Sequence, residues 1–117
     1  MTKVKEITPT ALYKMLEEGG NIPIMDVRSE SEFAEVHTIS SINLPLNQLD
    51  ATTIGKIPWN RNQPIYIICR SGRRSQKACS LLLEAGFSHV YNITGGIIKW
   101  QDCGLPITSG HEEAASC

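Results

Sequence analysis

No stretch of the 117 residues approaches the ~18 consecutive apolar residues of a membrane-crossing helix, so no spanning segment is expected. The opening Met1-Thr2-Lys3-Val4-Lys5-Glu6 lacks the apolar core of a secretory leader. Four cysteines, Cys69, Cys79, Cys103 and Cys117, fall in neither a zinc-finger spacing nor the dense pattern of a disulfide-stapled domain. A reduced, cytoplasmic setting without a bound metal is the expectation. The net charge of −1 gives no electrostatic reason to bind nucleic acid or an acidic membrane surface. Repeats, low-complexity tracts and linkers are all missing, and the length fits one domain with its own core. That domain is expected over residues 1–108, followed by a loose polar tail at 109–117.

One further absence is local. No acidic residue lies between Asp50 and Glu84, while Lys56, Arg61, Arg70, Arg73, Arg74 and Lys77 all fall in that interval. Positive charge concentrated there suits a small anionic ligand. At its centre stands Cys69-Arg70-Ser71-Gly72-Arg73-Arg74-Ser75, after the apolar run Ile65-Tyr66-Ile67-Ile68 and before a helical pattern through Ser80, Leu81, Leu82 and Ala85. A strand therefore ends at a cysteine, and a short turn leads into a helix. The first turn of a helix carries N–H groups without intrahelical partners and a partial positive charge. A loop curled over that end becomes an anion cradle, and a cysteine at its base has its thiolate stabilised below the ~8.5 of a free thiol. A buried strand-end cysteine would explain residues 65–68 but not the three arginines around a central glycine. The pattern is that of a thiolate nucleophile aimed at an anion.

The rest of the chain alternates short apolar strands with helices. Residues 4–7 read as an edge strand, and Thr8-Pro9 opens a helix with Leu12, Met15 and Leu16 on one face, closed by Gly19-Gly20. A buried strand at 22–27 leads to Asp26 and Arg28 at its carboxyl end, and Ser29-Glu30-Ser31-Glu32 matches a capping box before a short helix. A strand is expected at 39–44, irregular or weakly helical structure at 46–57, a strand at 89–93, a turn at Gly95-Gly96 and a helix at 97–102. Gly104 and Pro106 close the core. Such alternation implies a parallel sheet of about five strands with helices on both faces. In these sheets ligands bind beyond the carboxyl ends of the strands, where Asp26, Arg28 and Cys69 all stand.

Three separated blocks carry a family resemblance, covering about residues 7–107. They are Ile24-Met25-Asp26-Val27-Arg28 with Glu32-Phe33, the cysteine loop 69–75, and Gly95-Gly96-Ile97 with Trp100 and Gly104-Leu105-Pro106. In that order they resemble a single-domain rhodanese, the thiosulfate sulfurtransferase family. One block departs. The family usually reads Gly-His-aliphatic-Pro-Gly-Ala before an Asn-aliphatic-Pro ending. Here Val36-His37-Thr38-Ile39-Ser40-Ser41-Ile42-Asn43-Leu44-Pro45 keeps His37, Asn43 and Pro45 but loses the glycines and the first proline. An altered turn in the pocket wall is expected.

The resemblance implies a rhodanese-like fold and a two-step transfer that needs no cofactor. The Cys69 thiolate attacks the outer sulfur of a small anionic donor such as thiosulfate, sulfite leaves, and a thiol or cyanide then takes the sulfur from the Cys69 persulfide. A protein thiol is one possible acceptor, and a monomer is expected. The N–H groups from Arg70 through Ser75 would hold the persulfide's charge, with Gly72 supplying the sharp angle. Arg70 and Arg73 would reach the donor's oxygens, while Arg74 would turn inward to Asp26, so that Asp26 and Arg28 support the loop. Ser71 can donate its hydroxyl to the anion; Ser75 can do the same or cap the following helix. Cys79 and Cys103 read as packed thiols, His37, Trp59 and Trp100 as structural residues, and Cys117 as an end-of-chain thiol open to disulfide formation or to sulfur from Cys69. Two other functions share the pattern. A rhodanese-like phosphatase or arsenate reductase uses a loop one residue longer than the six from Cys69 to Arg74, and a sulfur-carrying interaction module needs no turnover.

Overall fold

A computed structural model of the chain describes residues 4–110. Along it run β1 (Lys5–Ile7), α1 (Pro9–Glu17), β2 (Ile24–Asp26), α2 (Glu30–Glu35), β3 (His37–Thr38) and β4 (Ser41–Asn43). A 3-10 turn at Leu46–Gln48 follows, then α3 (Ala51–Gly55), β5 (Ile65–Ile68), α4 (Arg73–Glu84), β6 (Val90–Ile93), α5 (Gly96–Asp102) and β7 (Ile107–Thr108). Five strands form one sheet in the order β1-β6-β5-β2-β4, each pair parallel. The expected α/β architecture is the one found. Because the sheet is parallel, β2 and β5 end on the same edge, with Asp26 opposite Ile68. The Val27 N–H donates to the Ile68 carbonyl at 3.0 Å, which holds the chain leaving β2 beside the cysteine.

The alternation of side chains along a strand decides which way the cysteine points. Ile65, Ile67 and Cys69 share one face with Met25 and Val27, packing on Ile54 of α3 and on Ala78, Cys79 and Leu82 of α4. Tyr66 and Ile68 face the other way, onto Leu12 of α1 and onto Ile97 and Trp100 of α5. Cys69 is thus one more inward residue of β5, placed one step past the last strand hydrogen bond.

The helix starts follow the capping chemistry read from the sequence. Thr8 Oγ1 accepts from the Ala11 N–H at 3.2 Å, and Ser29 and Glu32 close a reciprocal box at the start of α2. The region 36–57 differs from expectation. Of the strand expected at 39–44 only β4 forms; β3 lies before it in a separate sheet, and between them Ser40 has a left-handed φ of 63°. Ser40 occupies the second glycine's place in the departed block and takes up a left-handed angle without being glycine. Serine there costs roughly 1–2 kcal/mol of backbone strain, and its exposed position leaves the side chain room. The stretch expected to be irregular or weakly helical at 46–57 holds the 3-10 turn and the five-residue α3, started by a second reciprocal box between Asp50 and Thr53. Strand β7 pairs antiparallel with β3 at His37↔Thr108, and the tail expected at 109–117 lies, from residue 111 on, outside the described residues. Cys117 lies outside the described residues. Among the described residues no helix is long and apolar enough to cross a membrane.

Candidate active site

Beyond β5 the backbone turns through Arg70, Ser71 and Gly72 before α4 begins at Arg73. Gly72 adopts φ 99°, open to glycine and strained for other residues, and this curls its N–H back onto Cys69. The Gly72 N–H donates to Cys69 Sγ at 3.0 Å. Cys69 is 1% exposed, and burial pushes its thiol up. The Ser75 hydroxyl and the N–H groups of Ser75, Gly72 and Ser71 pull it down by more, leaving it below the ordinary thiol value. Arg70 and Arg73 are exposed, and Arg74 is the arginine whose charge acts on the sulfur.

A second helix fixes the loop from behind. The first N–H groups of α5 have no side-chain cap, and they find the loop's carbonyls instead. Ile97 donates to the Cys69 carbonyl at 2.8 Å and Ile98 to the Arg70 carbonyl at 3.1 Å. The approach is possible because residue 96 is glycine. A Cβ there would stand 2.3 Å from the Cys69 carbonyl oxygen.

Three expectations need correction. Arg74 pairs with Glu32, not Asp26, through two hydrogen bonds of 2.8 Å each. Asp26 is already satisfied by its near neighbour Arg28, whose Nε and Nη2 reach its carboxylate at 2.8–3.1 Å. That buried pair braces the end of β2 and the Val36 carbonyl, and neither residue hydrogen-bonds the cysteine loop. Of the two roles left open for Ser75, the cap is not taken: Gly72 holds the cap position, and the Ser75 hydroxyl donates to Asn92 Oδ1. Cys103, expected to be packed, is exposed at the end of α5. Cys79 is buried as expected, and burial pushes its thiol up to about 12. His37 is buried and stacked on Phe33, with ring centroids 3.7 Å apart, and Trp100 is fully buried with its Nε1–H on the Pro106 carbonyl. Trp59 packs at the edge of the α3–α4 core.

The arginine's bidentate grip, aided by hydrogen bonds from Ser29, lowers the Glu32 carboxyl from 4.5 to about 2. A depressed carboxyl adds stability that is complete above its unfolded value and is lost as pH falls through the folded one. The window is therefore from about 4.5 down to about 2. The pair is partly exposed, so screening reduces its worth to ~1 kcal/mol or less. Glu32→Gln keeps the capping box and removes the charge. Its urea midpoint is expected to lie below the parent's at neutral pH, with the gap closing across that window. A constant gap would assign the loss to capping alone.

Sequence reasoning passed over Glu6, Asn92 and the closeness at Gly96. Asn92 carries a visible signal, a polar residue inside the apolar strand Val90–Ile93. A cleft of about 500 Å³ opens beside the loop, lined by Val27, Ser29, Pro45, Leu49, Arg74 and Leu81 among others. Among the described residues no group of three or more His, Cys, Asp and Glu side chains is placed to hold a metal ion.

The cysteine loop, turned at Gly72 and leading into α4, stands beyond the carboxyl edge of a five-stranded parallel sheet, where such sheets bind ligands. Residues 8–103 match the rhodanese-like domain family, and the chain belongs to that family. It is 36% identical over 106 residues to a sulfurtransferase of Allochromatium vinosum, covering 91% of this chain and 96% of that protein. It is also 36% identical over 91 residues to thiosulfate sulfurtransferase 16, chloroplastic, of Arabidopsis thaliana, covering 70% of this chain and 76% of the other. The solution structure of the rhodanese-like domain from an Anabaena protein superposes with a TM-score of 0.81 at 26% identity, covering 96% of this chain and 83% of that one. The chain's general activity is therefore sulfur transfer.

Proposed function

We propose that this chain takes a sulfane sulfur from thiosulfate, or from a related persulfide donor, and passes it to a thiol through a persulfide on Cys69. The observation that carries the reading is the Gly72 N–H aimed at the buried Cys69 sulfur at 3.0 Å, in a loop whose Ser71 and Ser75 groups also favour the thiolate. In the first step the thiolate's electron pair forms a bond to the outer sulfur of thiosulfate. The sulfur–sulfur bond of the donor breaks, and sulfite leaves with its electrons. The product anion, Cys69–S–S⁻, keeps the charge within reach of the same donors, as an oxyanion hole holds oxygen. Exposed Arg70 and Arg73 are free to meet the donor's sulfonate oxygens, and Arg74, engaged by Glu32, anchors the loop. A cellular thiol, or cyanide in an assay, then attacks the outer sulfur and releases the Cys69 thiolate. A reducing cytoplasm is the setting that goes with a free thiolate.

The short loop supports attack on sulfur over phosphoryl transfer. Protein mixed with thiosulfate alone is expected to gain one sulfur atom on the Cys69 peptide in mass spectrometry, to release one sulfite per chain, and to lose the added sulfur to cyanide. Absence of that mass gain, or aryl-phosphate hydrolysis faster than sulfur transfer, would overturn the reading.

A further inference from the structure

Asn92, on β6 behind the cysteine loop, is 2% exposed, and every polar atom of its side chain is engaged. Its Nδ2 donates to the two oxygens of the Glu6 carboxylate at 3.2 and 3.0 Å and faces the Gly72 carbonyl at 3.4 Å. Carboxylates and carbonyls only accept, so the amide has one workable orientation, with Oδ1 turned toward Ser75. Glu6 is held in turn by Thr94 Oγ1 at 2.8 Å and Gln76 Nε2 at 2.7 Å. Ser75 has a single hydroxyl proton. Offered only an acceptor by Asn92, the hydroxyl donates there, although the same side chain favours the Cys69 thiolate.

We propose that Asn92, oriented by Glu6, is a positioning residue that sets the direction of the Ser75 hydroxyl: away from the Cys69 sulfur at rest, and onto it once that sulfur carries negative charge. The proposal rests on Cys69 being the sulfur-bearing nucleophile. At rest the hydrogen bonds behind the loop run one way, from Ser75 O–H to Asn92 Oδ1 and from Asn92 N–H to Glu6. Bonds aligned in one direction polarise one another. When the thiol gives its proton to solvent, the anionic sulfur becomes the stronger acceptor and the hydroxyl rotates onto it. Asn92 Oδ1 then loses its donor in a buried site, which carries a desolvation penalty. Asn92 and Glu6 therefore keep the resting thiol less acidic than Ser75 alone would make it. The other titratable or charged groups that act on this sulfur are Arg74, which attracts the thiolate, and the neutral thiol of Cys79.

The test is the pH dependence of Cys69 alkylation by iodoacetamide, followed on the Cys69 peptide. Asn92→Leu removes the competing acceptor at similar volume. It is expected to lower the apparent Cys69 pKa by about one unit, equivalent to about tenfold more thiolate on the acid side. In a Ser75→Ala background the same substitution is expected to shift nothing, because no hydroxyl remains to be released. Should Asn92→Leu fail to fold, Glu6→Gln at the surface decides the matter. It frees the amide to turn, and is expected to lower the pKa by roughly half a unit with Ser75 present and much less without it. An unchanged or raised pKa, or a shift of equal size with and without Ser75, would overturn the proposal. Alkylation needs no sulfur donor, so this outcome is separate from whether Cys69 carries sulfur in turnover.

Discussion

Cys69→Ser is expected to reduce thiocyanate formation from thiosulfate and cyanide to the rate without protein, while the thermal unfolding transition stays close to the parent's. A serine oxygen accepts the Gly72 N–H as the sulfur does, so the loop keeps the contact that curls it. Serine lacks the chemistry, because its hydroxyl is not ionised at neutral pH and forms no stable bond to a sulfane sulfur. The other described cysteines give the contrast. Cys79 is buried against the same sheet face, and its thiol, pushed up to about 12, stays protonated through any working pH. Cys79→Ser places a hydroxyl in an apolar core at a cost of about 1–3 kcal/mol, an effect on stability and not on turnover. Cys103 stands at the far end of α5 from the loop, a helix of seven residues or ~10 Å away. Cys103→Ser is expected to change neither quantity. Residual turnover in Cys69→Ser, or its loss in a folded Cys103→Ser, would replace the one-cysteine scheme.

The fold was legible because its signals are local. The Thr8-Pro9 start, the Ser29–Glu32 box and the alternation in residues 65–68 each specify a backbone state within a few residues, and the structure bears out each. The cysteine loop was legible for the same reason. What lay hidden depends on competition between partners distant in sequence. Arg74 faced two carboxylates, and the choice of Glu32 follows from Asp26 being saturated two residues along its own chain, at Arg28. Ser75 left two roles open, anion donor or helix cap, because both are local, while its partner Asn92 arrives from another strand. Strand β7 was missed because two residues carry no period of their own, and only β3 across from them makes a ladder. At Ser40 the angle itself was hidden, because a serine gives no sign of the left-handed backbone it adopts between β3 and β4.

Gly96→Ala is expected to be the most damaging single-methyl change in the chain. Residue 96 has φ 60°, where an alanine costs roughly 1–2 kcal/mol in backbone strain alone. The added Cβ would also stand 2.3 Å from the Cys69 carbonyl oxygen and 2.6 Å from the Arg70 carbonyl carbon and oxygen. These are backbone atoms and cannot rotate aside, so overpacking adds about 1–3 kcal/mol. Relief requires α5 to draw back, and that breaks the Ile97 and Ile98 hydrogen bonds that hold the loop's two carbonyls. The N–H groups aimed at Cys69 then lose their fixed direction. A displacement of about 1 Å in such a site lowers turnover by about 100-fold. Gly104→Ala separates the causes, since φ there is 72° and a Cβ meets nothing within 4 Å. That variant is expected to lose only the backbone term and to keep full turnover. Urea denaturation and the thiocyanate assay on both variants give the comparison. Equal stability losses would remove the steric argument, and a Gly96→Ala protein with parental turnover would show that the cradle holds its shape without α5 behind it.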